Sequence, residues 1–421
     1  MNPIIKTYDL DYQGQGIGKL NEKTTFIKGM FANEVGRISI IKDKKNYVTA
    51  ELVELIEKSP DRISDLSFDY APLYGLSLDA ECLWQEKITK ETLKKIANLD
   101  VSVNPTVSDN RKLHYRNKIT LHTKLINGVL KLGVYREQSR DLIEINNHEL
   151  ALPILTKTIR ELSTLFGIKQ FTFNWLKHIT LRTNEKQVMM VLSVNETPSD
   201  LSSVIELFKP YADSLYINHS IEDYEILGAD SIHIYGLKTL PLEFNHVSFN
   251  IGPSGFFQVN TEVAKKMYDH IKANIRGRII IDAYAGMASI GQYISNNETT
   301  VYAIESNEDS IIQAKASIIQ NKLSNIEIIQ GQVEEKLEIV IPKSDVIIFD
   351  PPRSGLSERI IDMIIEHPIK QIVYVSCDLK TLARDMKKLS EYYVIQSITP
   401  FRMFPSTYHV ESITLLSLKT A

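Results

Sequence analysis

The chain has 421 residues, enough for two or three domains with separate cores. Its 43% hydrophobic and 24% charged composition excludes a largely disordered chain, and no apolar run approaches the ~18 residues of a membrane span. The net charge of -4 does not announce a nucleic-acid binder, and two cysteines, Cys82 and Cys377, exclude a disulfide framework or a four-thiolate metal site. No signal-peptide pattern opens the sequence, so a cytoplasmic location is expected.

In chain order, residues 1–58 read as short strands at 25–27, 36–41 and 47–56. Gly14, Gly16 and Gly18 and a turn at 43–45 punctuate them, as in a small β-barrel. Residues 59–85 lack clear periodicity, and 84–99 carries a helical pattern with Ile88, Leu93 and Ile96 on one side. Between Glu86 and Arg136, eleven Lys/Arg face four Asp/Glu, a local excess that reads either as a solvated face or as a nucleic-acid contact. The middle of the chain mixes strands (119–125, 129–135, 187–194) with helices (151–165, 201–209). After residue 275, apolar runs at 279–284, 301–304, 326–329, 346–349 and 372–375 alternate with helical patterns. That rhythm predicts a doubly wound parallel sheet, with 412–418 as an antiparallel edge.

Ligands of such sheets bind at the carboxyl ends of the strands. The first strand runs into Asp282-Ala-Tyr-Ala-Gly286-Met-Ala-Ser-Ile-Gly291, and the second ends at Glu305, suited to ribose hydroxyls. Together they indicate a nucleotide-like cofactor, NAD or S-adenosylmethionine. The fourth strand ends in Asp350-Pro-Pro-Arg353, whose prolines hold an extended turn. Cys377 ends the fifth strand, and Asp378 is placed to cap the next helix, where the dipole favours a thiolate. His409 and Glu411 alternate with Val410 on an extended segment, so both point to one face, and a carboxylate there suits general-base work.

These segments, with Gly255-Phe-Phe-Gln258-Val-Asn260 and Leu382-Ala-Arg-Asp385, resemble in order the RNA 5-methyluridine methyltransferases. Gly16-Ile-Gly18-Lys19 and Lys44-Lys45-Asn-Tyr-Val resemble their N-terminal TRAM domain, and Tyr115-Arg116-Asn117-Lys118 their YRN motif. The resemblance implies a multidomain α/β and β protein. Its parts would be an OB-like TRAM barrel (1–58), an α+β central RNA-recognition domain (59–250, with part of 86–111 packing on the catalytic domain) and a Rossmann-like class I methyltransferase domain (251–421).

It implies Cys377 as nucleophile, Glu411 as general base and S-adenosylmethionine contacts from Gln258, Tyr284, Ser289, Glu305, Gln332 and Asp350. Arg353, His409, Tyr115, Arg116, Asn117 and Lys118 would meet RNA. The implied substrate is 23S ribosomal RNA, with the T-loop uridine of tRNA as alternative and a non-catalytic RNA-binding protein as a remote one. No membrane and no obligate protein partner are implied. Many relatives with a TRAM domain bind an iron–sulfur cluster through four cysteines. Here Tyr74 and Ser77 stand at two of those positions and His148 at the distal one, so no cluster and no metal are expected. Ala285 and Ala288 occupy cofactor-loop positions where the family often has cysteine and glycine.

Overall fold

A computed structural model of the chain describes residues 2–136, 139–220, 226–228 and 230–419. It divides into two compact units, one of Met1–Lys112, Pro351–Ile361 and Val373–Ala421, the other of Leu113–Asp350 and Asp362–Ile372.

The first unit begins with β1 (Ile4–Leu10), β2 (Gly16–Leu20), β3 (Lys23–Lys28), β4 (Val35–Asp43) and β5 (Tyr47–Glu57), closed into a barrel in the order β1-β2-β3-β5-β4. Closure pairs every strand on both sides, and alternate residues (Ile5, Ile27, Ile38, Ala50) fill the interior with Met30. Gly18 is required by close approach, since a Cβ there would lie 2.6 Å from Ile5 Cγ2. The buried Glu34 carboxylate accepts from Arg62 Nε (2.5 Å) and Nη2 (2.9 Å), fastening the next segment to the barrel. Helix α1 (Leu78–Thr92) starts six residues before the periodicity suggests. Its start signal is polar: the Ser77 hydroxyl accepts from Ala80 N–H, and Asp79 and Glu81 sit in the first turn.

In the second unit, β6 (Lys118–Ile126), β7 (Val129–Tyr135), β8 (Leu142–Glu144), α2 (Pro153–Lys169), β9 (Leu176–Thr183), β10 (Val188–Val194), α3 (Leu201–Phe208), β11 (Ser214–His219) and β12 (Ser231–Gly236) follow. The strands make one sheet in the order β12-β11-β10-β9-β6-β7-β8. One face (Ile119, Leu121, Ile179, Leu181) shares a core with Leu155, Ile159, Leu162 and Phe166 of α2. The other carries polar cross-strand pairs: Lys118/Arg182, Thr120/Thr180 and His122/His178. A hairpin, β13 (Leu240–Phe244) and β14 (Val247–Ile251), precedes α4 (Thr261–Asn274).

Then come β15 (Ile279–Ala283), α5 (Ser289–Ile294), β16 (Thr300–Glu305), α6 (Glu308–Gln320), β17 (Ile326–Gln330), α7 (Val333–Val340) and β18 (Val346–Phe349). Their order β17-β16-β15-β18 is parallel throughout, as the apolar runs predict. The order reverses between β15 and β18, which makes their carboxyl ends the switch point where ligands bind.

After α8 (Glu358–Glu366) and β19 (Gln371–Ser376) come α9 (Leu379–Leu389), β20 (Tyr393–Phe401) and β21 (Glu411–Leu418), all three in the first unit. The expectation of an edge strand at 412–418 is corrected, because β21 lies between β19 and β20. Every residue from Glu411 to Leu416 is buried, as an interior strand requires. Asn104 N–H donates to Ile398 O (2.8 Å) and Val107 N–H to Pro400 O (2.9 Å), so residues 104–107 cover part of β20.

Among the described residues no helix is long and apolar enough to cross a membrane.

Candidate active site

Cys377 is half-buried directly after β19 and immediately before α9. The Asp378 carboxylate caps that helix, accepting from Lys380 N–H (2.9 Å) and Thr381 N–H (3.0 Å). The thiol therefore sits at a helix N-terminus, where the dipole favours negative charge. A cavity of about 200 Å³ opens beside it, lined also by Tyr12, Arg353, Lys380, Tyr408, His409 and Val410. Thus Cys377, Arg353 and His409 share one cavity. Glu411 follows two residues after His409 and is 3% exposed, opposite Phe401 in the β20–β21 ladder. Tyr12 and Lys380 were not legible as site residues. Lys380 Nζ lies 3.7 Å from the Tyr12 ring centroid, and only folding brings a barrel loop to that cavity.

Two buried devices hold the walls. Asp385 accepts at Oδ2 from Tyr374 Oη (2.6 Å) and Leu356 N–H (2.9 Å). Arg384 Nη2 donates to Ser354 O (2.8 Å) and Leu356 O (3.0 Å), clamping the turn that carries Arg353. The second device is an ion pair without solvent exposure, Arg402 Nη2 to Glu81 Oε2 at 2.7 Å. Glu81 Oε1 also accepts from Ser406 N–H (2.8 Å), fixing the loop that leads to His409. Burial pushes the Cys82 thiol up to about 11, which suits a structural cysteine.

Around the β15–β18 switch point the functional groups are acidic. Asp282 accepts from Gly291 N–H (2.9 Å), and burial pushes its pKa up to about 8. Burial likewise raises Asp350, next to β18, to about 6. Glu305 accepts from Gly286 N–H (2.7 Å) through one oxygen and from Ser306 and Asn307 N–H through the other. The loop between is left-handed at Tyr284, Gly286 and Ala288, with φ of 62°, 57° and 55°. A Cβ at Gly286 would meet nothing within 4 Å, so that backbone stands open. A half-buried turn flanked by three acidic side chains fits a cationic nucleoside such as S-adenosylmethionine, which carries a sulfonium and an ammonium. Ser289 Oγ meets Tyr268 Oη at 2.7 Å, Tyr284 Oη donates to Glu334 (3.4 Å), and Gln332 precedes α7 without capping it through its side chain.

The remaining expected residues are distributed less simply. Tyr115 is 1% exposed and sits in the core. Asn117 is also buried: its Nδ2 donates to Gln258 O (3.0 Å) and Thr261 Oγ1 (3.2 Å), and its N–H to Val259 O (2.9 Å). It thereby holds the Gln258 segment at the start of α4. Arg116 and Lys118 are half-buried. The Glu86–Arg136 excess is no single patch, because Lys87, Lys94, Arg111 and Lys131 pair with Asp9, Asp100, Asp109 and Glu144. A separate cavity of about 350 Å³ is lined by Lys124, Tyr135, Arg140, Lys177 and His178, and Tyr135 stacks on His122 at 4.1 Å.

At the positions discussed for a cluster, Ser77 caps α1, Tyr74 lies 5.8 Å from Lys112 Nζ, and burial lowers His148 to about 4. Among the described residues no group of three His, Cys, Asp or Glu could hold a metal ion.

Residues 84–419 match the family model described as tRNA (uracil-5-)-methyltransferase. An uncharacterized RNA methyltransferase of Fusobacterium nucleatum is 30% identical, over 99% of this chain and 95% of its own. Another, of Clostridium acetobutylicum, is 32% identical over 97% and 95%. The crystal structure of a Pyrococcus abyssi tRNA (uracil-54, C5)-methyltransferase with S-adenosyl-L-homocysteine superposes with a TM-score of 0.78. At 23% identity it covers 99% of this chain and all of that one, a likeness of fold.

Proposed function

This chain belongs to the tRNA (uracil-5-)-methyltransferase family, and from that membership we propose that it makes 5-methyluridine in 23S ribosomal RNA through a covalent cysteine adduct. It is an S-adenosylmethionine-dependent RNA methyltransferase. The observation that carries the mechanism is the cavity where Cys377, at the start of α9, meets Arg353 and the segment leading to Glu411.

Uracil C5 is a weak nucleophile. The Cys377 thiolate adds to C6, forming the S–C6 bond and pushing the C5–C6 electron pair into an enolate spread over C5 and O4. Gln258, Tyr284, Ser289, Glu305, Gln332 and Asp350 would hold S-adenosylmethionine, which would supply an electrophilic methyl group to C5 and leave as S-adenosylhomocysteine. Arg353 and His409 carry donors suited to the enolate. Glu411 removes the C5 proton, the C5–C6 double bond re-forms, and the S–C6 bond breaks to release Cys377. A uridine must leave its stack to reach such a cavity, and Tyr12 offers a ring at its rim. The cavity with Lys124, Arg140, Lys177 and Tyr135 combines positive charge with an aromatic face, as single-stranded RNA contacts do.

Ribosomal RNA is the reading favoured by the N-terminal barrel, taken as a TRAM domain of the kind carried by bacterial members that act on ribosomal RNA. One observation favours the alternative, the T-loop uridine of tRNA: the fold shared with the Pyrococcus abyssi tRNA enzyme includes this barrel. The test is methyl transfer from labelled S-adenosylmethionine to unmodified 23S RNA and to a tRNA pool, with the product mapped. Label at one 23S loop is expected. Label confined to tRNA overturns the substrate, and label in neither overturns the activity.

A further inference from the structure

Between β14 and α4 lies an irregular segment, residues 252–260, which carries Gln258. Helix α6 holds its beginning through two side chains. Gly252 N–H donates to Gln313 Oε1 (3.2 Å), and Ser254 Oγ donates to Asp309 Oδ2 (2.8 Å). Asp309 and Gln313 are four residues apart, so they share one face of α6. The turn is shaped to receive the Gln313 amide. A Cβ at Gly255 would lie 2.3 Å from Gln313 Oε1, and one at Gly252 would lie 3.2 Å from its Nε2. Both glycines therefore serve close approach by the same side chain. The contact continues along β14: Asn250 Nδ2 donates to Gln320 Oε1 (2.7 Å), and the Asn321 amide accepts from Ser248 N–H (2.9 Å) and donates to Ser248 O (2.9 Å).

Helix α6 begins at another residue of the cofactor site. Glu305 Oε1 accepts from Ser306 N–H (2.8 Å) and Asn307 N–H (2.7 Å), and Asn307 Oδ1 caps α6 by accepting from Ser310 N–H (2.9 Å). A continuous set of contacts thus runs from Glu305, through the first two turns of α6, to the 252–255 turn. Gln258 follows three residues later, and Asn117 Nδ2 fixes its carbonyl from the other side (3.0 Å). Freed from α6, an irregular segment with two glycines would populate many conformations, and binding a ligand through Gln258 would then cost the entropy of ordering it.

We propose that Gln313 and Asp309 are positioning residues for S-adenosylmethionine: by pinning the 252–255 turn to α6, they set Gln258 at a fixed place relative to Glu305. The proposal rests on the cofactor site given above and adds two residues that act through others. Such positioning serves ground state and transition state alike, so its loss raises KM and leaves kcat.

The experiment titrates the full chain with S-adenosylhomocysteine by calorimetry, and measures methyl transfer at varied S-adenosylmethionine with the RNA that the wild type methylates. Gln313→Ala is expected to weaken S-adenosylhomocysteine binding, and to raise the KM for S-adenosylmethionine, by about three- to tenfold, the scale of one hydrogen bond. Its kcat and RNA affinity should stay within about twofold. Gly255→Ala pushes the same amide aside without removing it, and should weaken binding by a similar factor. The double variant should bind no worse than Gln313→Ala alone, because the added methyl then has room. Gln313→Glu keeps an oxygen for Gly252 N–H and should recover most of the loss. A contact that served only the fold would lower the denaturant midpoint and leave S-adenosylhomocysteine affinity unchanged, and that result overturns the proposal. Additive losses from Gly255→Ala and Gln313→Ala overturn it too. If Gln313→Ala fails to unfold cooperatively, Asp309→Ala, at an exposed position, decides by the same split of KM from kcat. A wild type that binds no S-adenosylhomocysteine overturns the parent reading and this one with it.

Discussion

The cavity beside Cys377 and the loops at the β15–β18 switch point differ in the sign of their charge. Arg353, Lys380 and His409 surround the first, and its one carboxylate, Asp378, is spent on capping α9. Asp282, Glu305 and Asp350 surround the second, where burial holds two of them well above the usual carboxylate range. The first environment is suited to anions, a thiolate and an enolate, and the second to a sulfonium cation. The supports differ as well: a helix cap and a buried ion pair serve the thiol, while a strained left-handed loop and backbone amides serve the carboxylates. Polar groups are placed by what they must stabilise, and each region is stiffened by the interactions its own charge allows.

The largest effect should come from the thiol side. Cys377→Ala is expected to reduce methyl transfer to background while changing RNA affinity less than about twofold, since it removes a bond-forming atom and not a binding group. Glu411→Gln should lower turnover by about 10²–10⁴-fold and trap a protein–RNA adduct that survives denaturing electrophoresis. Residual activity in the alanine variant would break the assignment of the cavity.

Next is its support. Glu81→Ala leaves Arg402 charged and buried, at a cost of about 3–5 kcal/mol in denaturant unfolding. A change below about 1 kcal/mol would mean that the Glu81–Arg402 pair contributes little to the fold.

The acidic region is sharpened by pH. Because burial raises Asp282 to about 8, the folded chain keeps a proton that the unfolded chain has lost between about pH 4 and pH 8. Stability of the ligand-free protein should therefore fall as pH rises through that window. Melting temperatures of wild type and Asp282→Asn at pH 6 and pH 8.5 check this. The asparagine variant, still able to accept from Gly291, should be flatter, and parallel curves would sink the assignment.

The smallest effect is at Ala288, whose φ of 55° is costly for any residue with a Cβ. Ala288→Gly should stabilise by about 0.5–1 kcal/mol, less than the full left-handed penalty because glycine loses more backbone entropy on folding.

Much of this organisation is carried by the amino-acid sequence itself. Apolar runs between helices determined the parallel strands β15–β18, because a strand buried on both faces has nowhere to put a polar side chain. The Cys377-Asp378 junction was legible because a helix cap is local. Tertiary structure alone decided the rest. It set β21 inside the sheet, since strand order depends on long-range pairing that local periodicity does not encode. It buried Tyr115 and made Asn117 a clamp, since burial depends on what packs from elsewhere in the chain. It also joined Arg182 to Lys118, residues more than sixty positions apart in sequence, through the register of two antiparallel strands. Charge is written residue by residue, but whether a charge meets solvent, a partner or neither is settled only when the chain has closed around it.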